Sequence, residues 1–252
     1  MKKNPFILSI ISFSLLIFLW AIITYIGNFS EQILPNPLLV LASGIELFNN
    51  GTLLKHVVAS LYRVTMGFYL AVILGIPLGI VLGRMPFVGQ LINPIIQFLR
   101  PISPLAWIPL AMLWFGIGDK PAIFLIFLSS FFPLVVATTM AVSRINPVYF
   151  HVAANFNFSQ QEIIKKIIIP AILPEVLTAL RLTIAIAWLV VVAAEMIAVQ
   201  SGLGYLILDA RNSLRMDIVM VGMIVIGMIG VFLDLIMLRL AKIDSIGWNK
   251  VS

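Results

Sequence analysis

A succession of long apolar runs leaves this chain no soluble fold. Phe6 to Ile26, Val57 to Gly83, Pro121 to Val142, Leu173 to Gln200 and Ile218 to Leu240 are each long enough to cross ~30 Å of hydrocarbon as a helix. Lipid offers no partner for a bare N–H or C=O, so such runs must satisfy their backbones internally, which makes them helices. The residues between them do not restore a polar surface. The chain is 62% hydrophobic and 10% charged, whereas soluble domains run near one quarter charged. The expectation is an all-α polytopic membrane protein, one transmembrane domain over residues 1–252. With no cysteine in the sequence, disulfides, thiol chemistry and cysteine-based metal sites are excluded together.

In chain order, Met1-Lys2-Lys3 precedes the first run, which is too long for a signal-peptide core and has no small-residue cleavage site after it. It reads as the first span, entered from the cytoplasm. Asn28 to Lys55 is mixed, with turn signals at Pro35-Asn36-Pro37 and Asn49-Asn50-Gly51, and leaves room for a short interfacial helix from Leu38 to Phe48. In the second span Gly75, Gly79 and Gly83 repeat the small-xxx-small spacing that lets helix backbones approach closely. Met85 to Gly118 carries Pro94, Pro101, Pro104 and Pro109, so a kinked or broken third span is expected. Broken backbone at membrane depth must be buried in protein or line a water-filled cavity. Pro104, Trp107 and Pro109, with Trp188 from the fifth span, are therefore candidates for a translocation path, and plain kinked packing is the alternative. Ser201 to Asp217 is expected outside, as a hairpin or short helix.

Six spans with both termini cytoplasmic put Lys2, Lys3, Arg84, Arg144, Lys165, Lys166, Arg239, Lys242 and Lys250 inside, against Lys55, Lys120, Arg211 and Arg215 outside. The net charge of +6 is then a cytoplasmic-loop bias, not a nucleic-acid footprint. Charges inside spans are expensive in lipid and mark pairs or paths. Arg63 and Glu195 share one depth, and Arg181 and Asp234 another. Each set is a candidate ion pair, either a gate latch or static glue between helices.

The one long polar interruption is Arg144 to Glu175, RINPVYFHVAANFNFSQQEIIKKIIIPAILPE. Asn146-Pro147 starts a helix with a capping side chain and a preset φ. Val148, Val152 and Phe156 follow at helical spacing. Ser159 to Glu162 is a capping box for a second helix, which Pro170 should end or kink. Two short helices with exposed aromatics, Phe150, Phe156 and Phe158 among them, read either as a docking surface or as an amphipathic loop at the membrane surface.

This stretch resembles the cytoplasmic "EAA" loop of ABC importer permeases: E-A-A, three residues, Gly, nine residues, Ile-x-Leu-Pro. Ala153, Ile167 and Ile169-Pro170 match, while His151, Val152 and Asn157 stand in place of the glutamate, the first alanine and the glycine. Asparagine tolerates a left-handed backbone, so the turn can survive. Arg100 to Gly118 and Val191 to Arg211 are similar to the nitrate, sulfonate, taurine and bicarbonate branch of that family. The resemblance implies a six-helix, type I ABC importer-like permease in the bacterial inner membrane. It implies an ATP-binding subunit, an extracytoplasmic solute-binding protein and a second permease copy as partners, within lipid. Tyr149, Phe150, His151, Ala153, Phe156, Asn157, Phe158 and Ser159 would form the coupling surface.

The residues themselves offer no catalytic chemistry. Gly116 to Pro121 lacks the spacing of a phosphate-binding loop, and His56 and His151 lie at opposite ends of the topology. No cofactor or metal is expected, and ATP hydrolysis would belong to a partner chain. An autonomous channel or secondary transporter would need titratable relays or inverted repeats, and a membrane enzyme a cluster of catalytic groups. The expected solute is a small oxyanion, a sulfonate first, then nitrate or bicarbonate, with a vitamin precursor as the alternative.

Overall fold

The computed structural model describes residues 5–27 and 29–248; Lys2, Lys3, Asn28 and Lys250 lie outside them. The described residues form helices joined by short turns: α1 (Pro5–Ile26), α2 (Pro37–Asn49), α3 (Thr52–Arg84), α4 (Pro86–Leu99), α5 (Ile108–Phe115), α6 (Asp119–Ser143), α7 (Pro147–Asn155), α8 (Gln160–Ile163), α9 (Ile169–Ala198), α10 (Leu203–Asn212) and α11 (Met216–Trp248). Asn36 caps α2 by accepting a 2.7 Å hydrogen bond from the Leu39 N–H, with Pro37 in the first turn.

Among the described residues four helices are long and apolar enough to cross a bilayer: Thr52–Arg84, Asp119–Ser143, the continuous Gln160–Ala198 and Met216–Leu240. Pro86–Leu99 and Pro104–Phe115 make a fifth crossing only if taken together, because the chain bends by 86° between them. The count is thus four or five, not the six expected from the sequence. The difference lies at α1, which is an apolar helix of 22 residues, Pro5–Ile26, and enters that count only over Ile10–Ile26. The broken third span is as the prolines predict, and the short helix after the fifth span is α10.

The centre of the bundle is α3, α6 and α9. The glycine stripe of α3 meets α6: a Cβ at Gly79 would lie 2.5 Å from the Thr138 Cβ, and one at Gly83 2.6 Å from the Val142 Cβ. Gly67 meets Ile126 and Gly75 meets Leu134 at the same sequence offset, so the two helices run parallel and in register. Thr139 Oγ1 donates to the Gly79 carbonyl at 3.3 Å across this contact. Missing side chains on α3 are what let the backbones approach. α9 packs antiparallel on this pair, α10 and α11 pack on α9, and α2 reaches α11. α1 stands at the edge with Phe13, Leu16 and Phe18 uncovered, as a lipid-facing helix requires.

Pro170 does not end its helix. The chain passes from α8 through one π-helical turn, Ile164–Ile168, directly into α9. Proline lacks the N–H an α-helix would need there, and its ring crowds the preceding turn. The wider turn resets the register and leaves Pro170 in the first turn of α9, where no N–H is required. The result is one 39-residue helix, Gln160–Ala198, from the loop at one end of the bundle to the opposite end.

Candidate functional site

At the loop end, Asn146 caps α7 by accepting from the Val148 N–H at 3.0 Å. Asn157 has φ 54°, the left-handed turn its side chain was expected to tolerate. Ser159 and Glu162 close the capping box, with the Ser159 N–H donating to Glu162 Oε2 at 3.0 Å. The loop is thereby held by its own backbone chemistry.

The three phenylalanines of this loop do not share one role. Phe156 is 72% exposed and stands with Val148, Tyr149 and Val152 on an uncovered apolar face of α7. Phe150 and Phe158 turn inward, against the cluster of Ala153, Ile163, Ile168 and Ile172. The Arg84 guanidinium lies 4.3 Å from the Phe150 ring centre, tying the end of α3 to the loop, and Lys166 covers Phe158 at 4.8 Å. Ala153 is fully covered, while His151, Asn157 and Ser159 lie at the surface. Of the expected coupling residues, Tyr149 and Phe156 are thus uncovered, with Val152 beside them, while Phe150 and Phe158 are half-buried. Helical spacing pointed to Val152 and Phe156, but no local signal says which way an aromatic beyond the helix end will turn.

At the far end, Arg63 and Glu195 meet at 2.6 Å, with side chains 2% and 0% exposed. The other polar atoms around them are also paired. Arg63 donates to Asp119 Oδ1 at 2.7 Å, to the Ser201 carbonyl at 2.7 Å and to Ser201 Oγ. Glu195 Oε2 accepts from Ser60 Oγ at 2.8 Å and from the Gly204 N–H at 3.0 Å. Ser60 Oγ accepts from the Leu203 N–H at 2.9 Å, and His56 Nδ1 from the Gly202 N–H at 3.0 Å. Gly202 has φ 104°, and a Cβ there would fall 2.2 Å from Glu195 Oε1. One node thus joins α3, the start of α6, the end of α9 and the turn into α10.

Arg181 and Asp234 also pair, through two hydrogen bonds of 2.6 and 2.8 Å, but their side chains are 39% and 42% exposed. Of the path candidates, Pro104 and Trp107 line a cavity of about 220 Å³ beside the break in the third span, together with Arg100, Ser129 and Phe132. Pro109 lies one turn further along, in α5, and is not among its lining residues. Trp188 sits elsewhere: its indole N–H donates to the Ile226 carbonyl at 3.0 Å, and its ring lies against Gly230 of α11. It packs α9 on α11. A larger cleft of about 870 Å³ lies between α4 and the loop-end halves of α3 and α6.

Residues 75–243 match the family described as binding-protein-dependent transport system inner membrane component. The chain belongs to this family. Across 90% of its length it is 36% identical to the taurine transport system permease protein of Escherichia coli, covering 85% of that protein. Across 97% it is 32% identical to the nitrate import permease protein of Synechococcus elongatus, covering 91% of that one. Its fold is similar to a chain of the MetNI methionine ABC transporter, with TM-score 0.68 at 14% identity, covering 77% of this chain and 96% of that one.

In this permease the sequence located the Arg63–Glu195 and Arg181–Asp234 pairs but not the rest of the far-end node. Asp119, Ser60, Ser201 and the Gly202–Gly204 turn are remote from one another along the chain, and only the packing of α3, α6 and α9 brings them together. A second feature was present but unread. Gln90, Asn93 and Gln97 recur at helical spacing along the otherwise apolar α4, Arg100 follows as its C-cap, and all four line the larger cleft.

Proposed function

We propose that this permease forms the membrane path of an ATP-driven importer for a small oxyanion, with a sulfonate such as taurine as the preferred solute and nitrate next. The observation that carries this reading is the identity, over nine-tenths of the chain or more, to permeases named for taurine and for nitrate. Both solutes present a compact anionic head, and a path for either has to accept negative charge.

The working assembly pairs two copies of this chain with ATP-hydrolysing subunits at the loop end, in the cytoplasm, and a solute-binding protein at the far end. Tyr149, Val152 and Phe156 supply the apolar contact for the ATPase. Closure of the ATPases displaces α7 and α8, and the continuous Gln160–Ala198 helix carries that displacement across the membrane, a length of ~58 Å at 1.5 Å per residue. Near its far end the same helix holds Glu195. Separating two buried charges leaves each uncompensated, so the Arg63–Glu195 node serves as a pivot that stays closed while α9 tilts. The path runs between the two copies, and the second copy completes the wall of the cleft along α4.

The test is uptake in cells lacking this chain, supplied with taurine as sole sulfur source or nitrate as sole nitrogen source. Loss of growth on one of them, restored by the chain, is the expected result. Normal growth on both, with lost uptake of a cationic or neutral nutrient, overturns the oxyanion assignment.

A further inference from the structure

Four charges deep in the bundle are paired, and the one at the break in the third span is not. Arg63, Glu195, Arg181 and Asp234 all have partners within 2.6–2.8 Å. Arg100 has none: among the described residues its guanidinium makes neither a salt bridge nor a hydrogen bond, and its side chain is exposed. It stands at the end of α4, where the third span breaks by 86°. It borders the larger cleft beside Val135 to Ser143 of α6 and the smaller cavity beside Ser129 and Pro133. α6 runs from Asp119 to Ser143, so these shared cavity walls put Arg100 level with the middle part of that span.

An arginine there costs ~2.5–3.5 kcal/mol on insertion scales when nothing compensates it. Arginine cannot escape by losing its proton. The surroundings supply no counter-charge, because neither cavity has an Asp or Glu in its lining. They supply neutral hydrogen-bonding groups instead: Ser129 in the smaller cavity, and Gln97, Asn93 and Gln90 on successive turns toward the loop end of the larger one. One fixed cation, amides, hydroxyls and no carboxylate make a passage suited to a small anion.

We propose that Arg100 is the residue that receives the anionic head of the solute at the break in the third span, and that Gln97 and Asn93 pass it toward the cytoplasm. The assignment rests on the oxyanion reading above and gives it a site. The guanidinium fork matches a sulfonate or nitrate with two parallel hydrogen bonds, which a lysine does not reproduce.

The experiment uses the full complex, with its ATPase and binding protein, in proteoliposomes. ATP-driven uptake of taurine and of nitrate is measured beside ATP hydrolysis stimulated by the loaded binding protein. Arg100→Gln should lower uptake of the transported anion at least tenfold while the complex assembles, melts at the same temperature and keeps its stimulated ATPase. Arg100→Lys should fall between the two. Uptake by Arg100→Gln at the wild-type rate overturns the Arg100 assignment and leaves the oxyanion reading standing. An equal drop in melting temperature and uptake for both variants marks a merely structural residue and also overturns it. A wild-type complex that moves neither anion removes both readings together.

Discussion

The two arginine–carboxylate pairs of this permease have nearly the same contact distances and very different surroundings. Arg63–Glu195 is closed off, with every neighbouring donor and acceptor matched and a glycine turn wrapped over the carboxylate. Arg181–Asp234 has two good hydrogen bonds and no third partner, and about two-fifths of each side chain is uncovered. Depth in the membrane brings two charges together. What they then do depends on how many elements converge on them: four at the first pair, and only α9 and α11 at the second. A closed node resists being taken apart and suits a fixed point. An open pair can exchange its partners for water or for another chain and suits a surface that changes during transport.

The largest effect that would break this contrast belongs to Glu195. Glu195→Ala leaves Arg63 with Asp119 as its remaining carboxylate and takes the acceptor from the buried Ser60 hydroxyl and Gly204 N–H, and it should cost ~3 kcal/mol or more, read as a lower melting temperature and poor yield of the purified chain. Exchanging the two charges should not rescue it, because a carboxylate at position 63 would face Asp119. Restoration by Arg63→Glu with Glu195→Arg would show that Asp119 is not part of the node. Next comes Gly202→Ala, which forces an alanine into φ 104° and its Cβ into the Glu195 carboxylate. A loss of roughly 1–3 kcal/mol is expected for the strained backbone alone, and thermal unfolding in detergent measures it. The smallest effect belongs to the open pair. Replacing Arg181 and Asp234 together by leucine should leave the melting temperature nearly unchanged, while altering uptake if the pair moves during the cycle. A loss as large as that of Glu195→Ala would erase the distinction between the two sites.

Local chemistry made much of this legible in advance. The spans, the break after Leu99, the capping box at Ser159 and the left-handed Asn157 follow from features within a few residues of each other. The Arg63–Glu195 pair follows from depth alone, because few charges are available at that level. What the sequence left hidden was tertiary. Phe150 and Phe158 turn inward because Ala153, Ile163 and Ile168 are there to receive them, and nothing near those phenylalanines distinguishes them from Phe156. Pro170 is expected from the sequence to end or kink its helix, and the π-helical turn that carries the chain past it has no local signal. The polar stripe of α4 was written in the spacing of Gln90, Asn93, Gln97 and Arg100, but it gained meaning only once one cleft was seen to run along all four.

The central claim is that the uncovered face of α7 receives the ATPase and drives the path through α9. Phe156 tests it most directly, because it is uncovered and contributes little to the chain's own packing. In the reconstituted complex, Phe156→Asp should leave the chain's melting temperature unchanged. It should lower ATP-driven uptake about thirtyfold, the equivalent of losing an anchor contact of ~2 kcal/mol. Uptake and ATP hydrolysis at wild-type rates, with the complex intact, would contradict it.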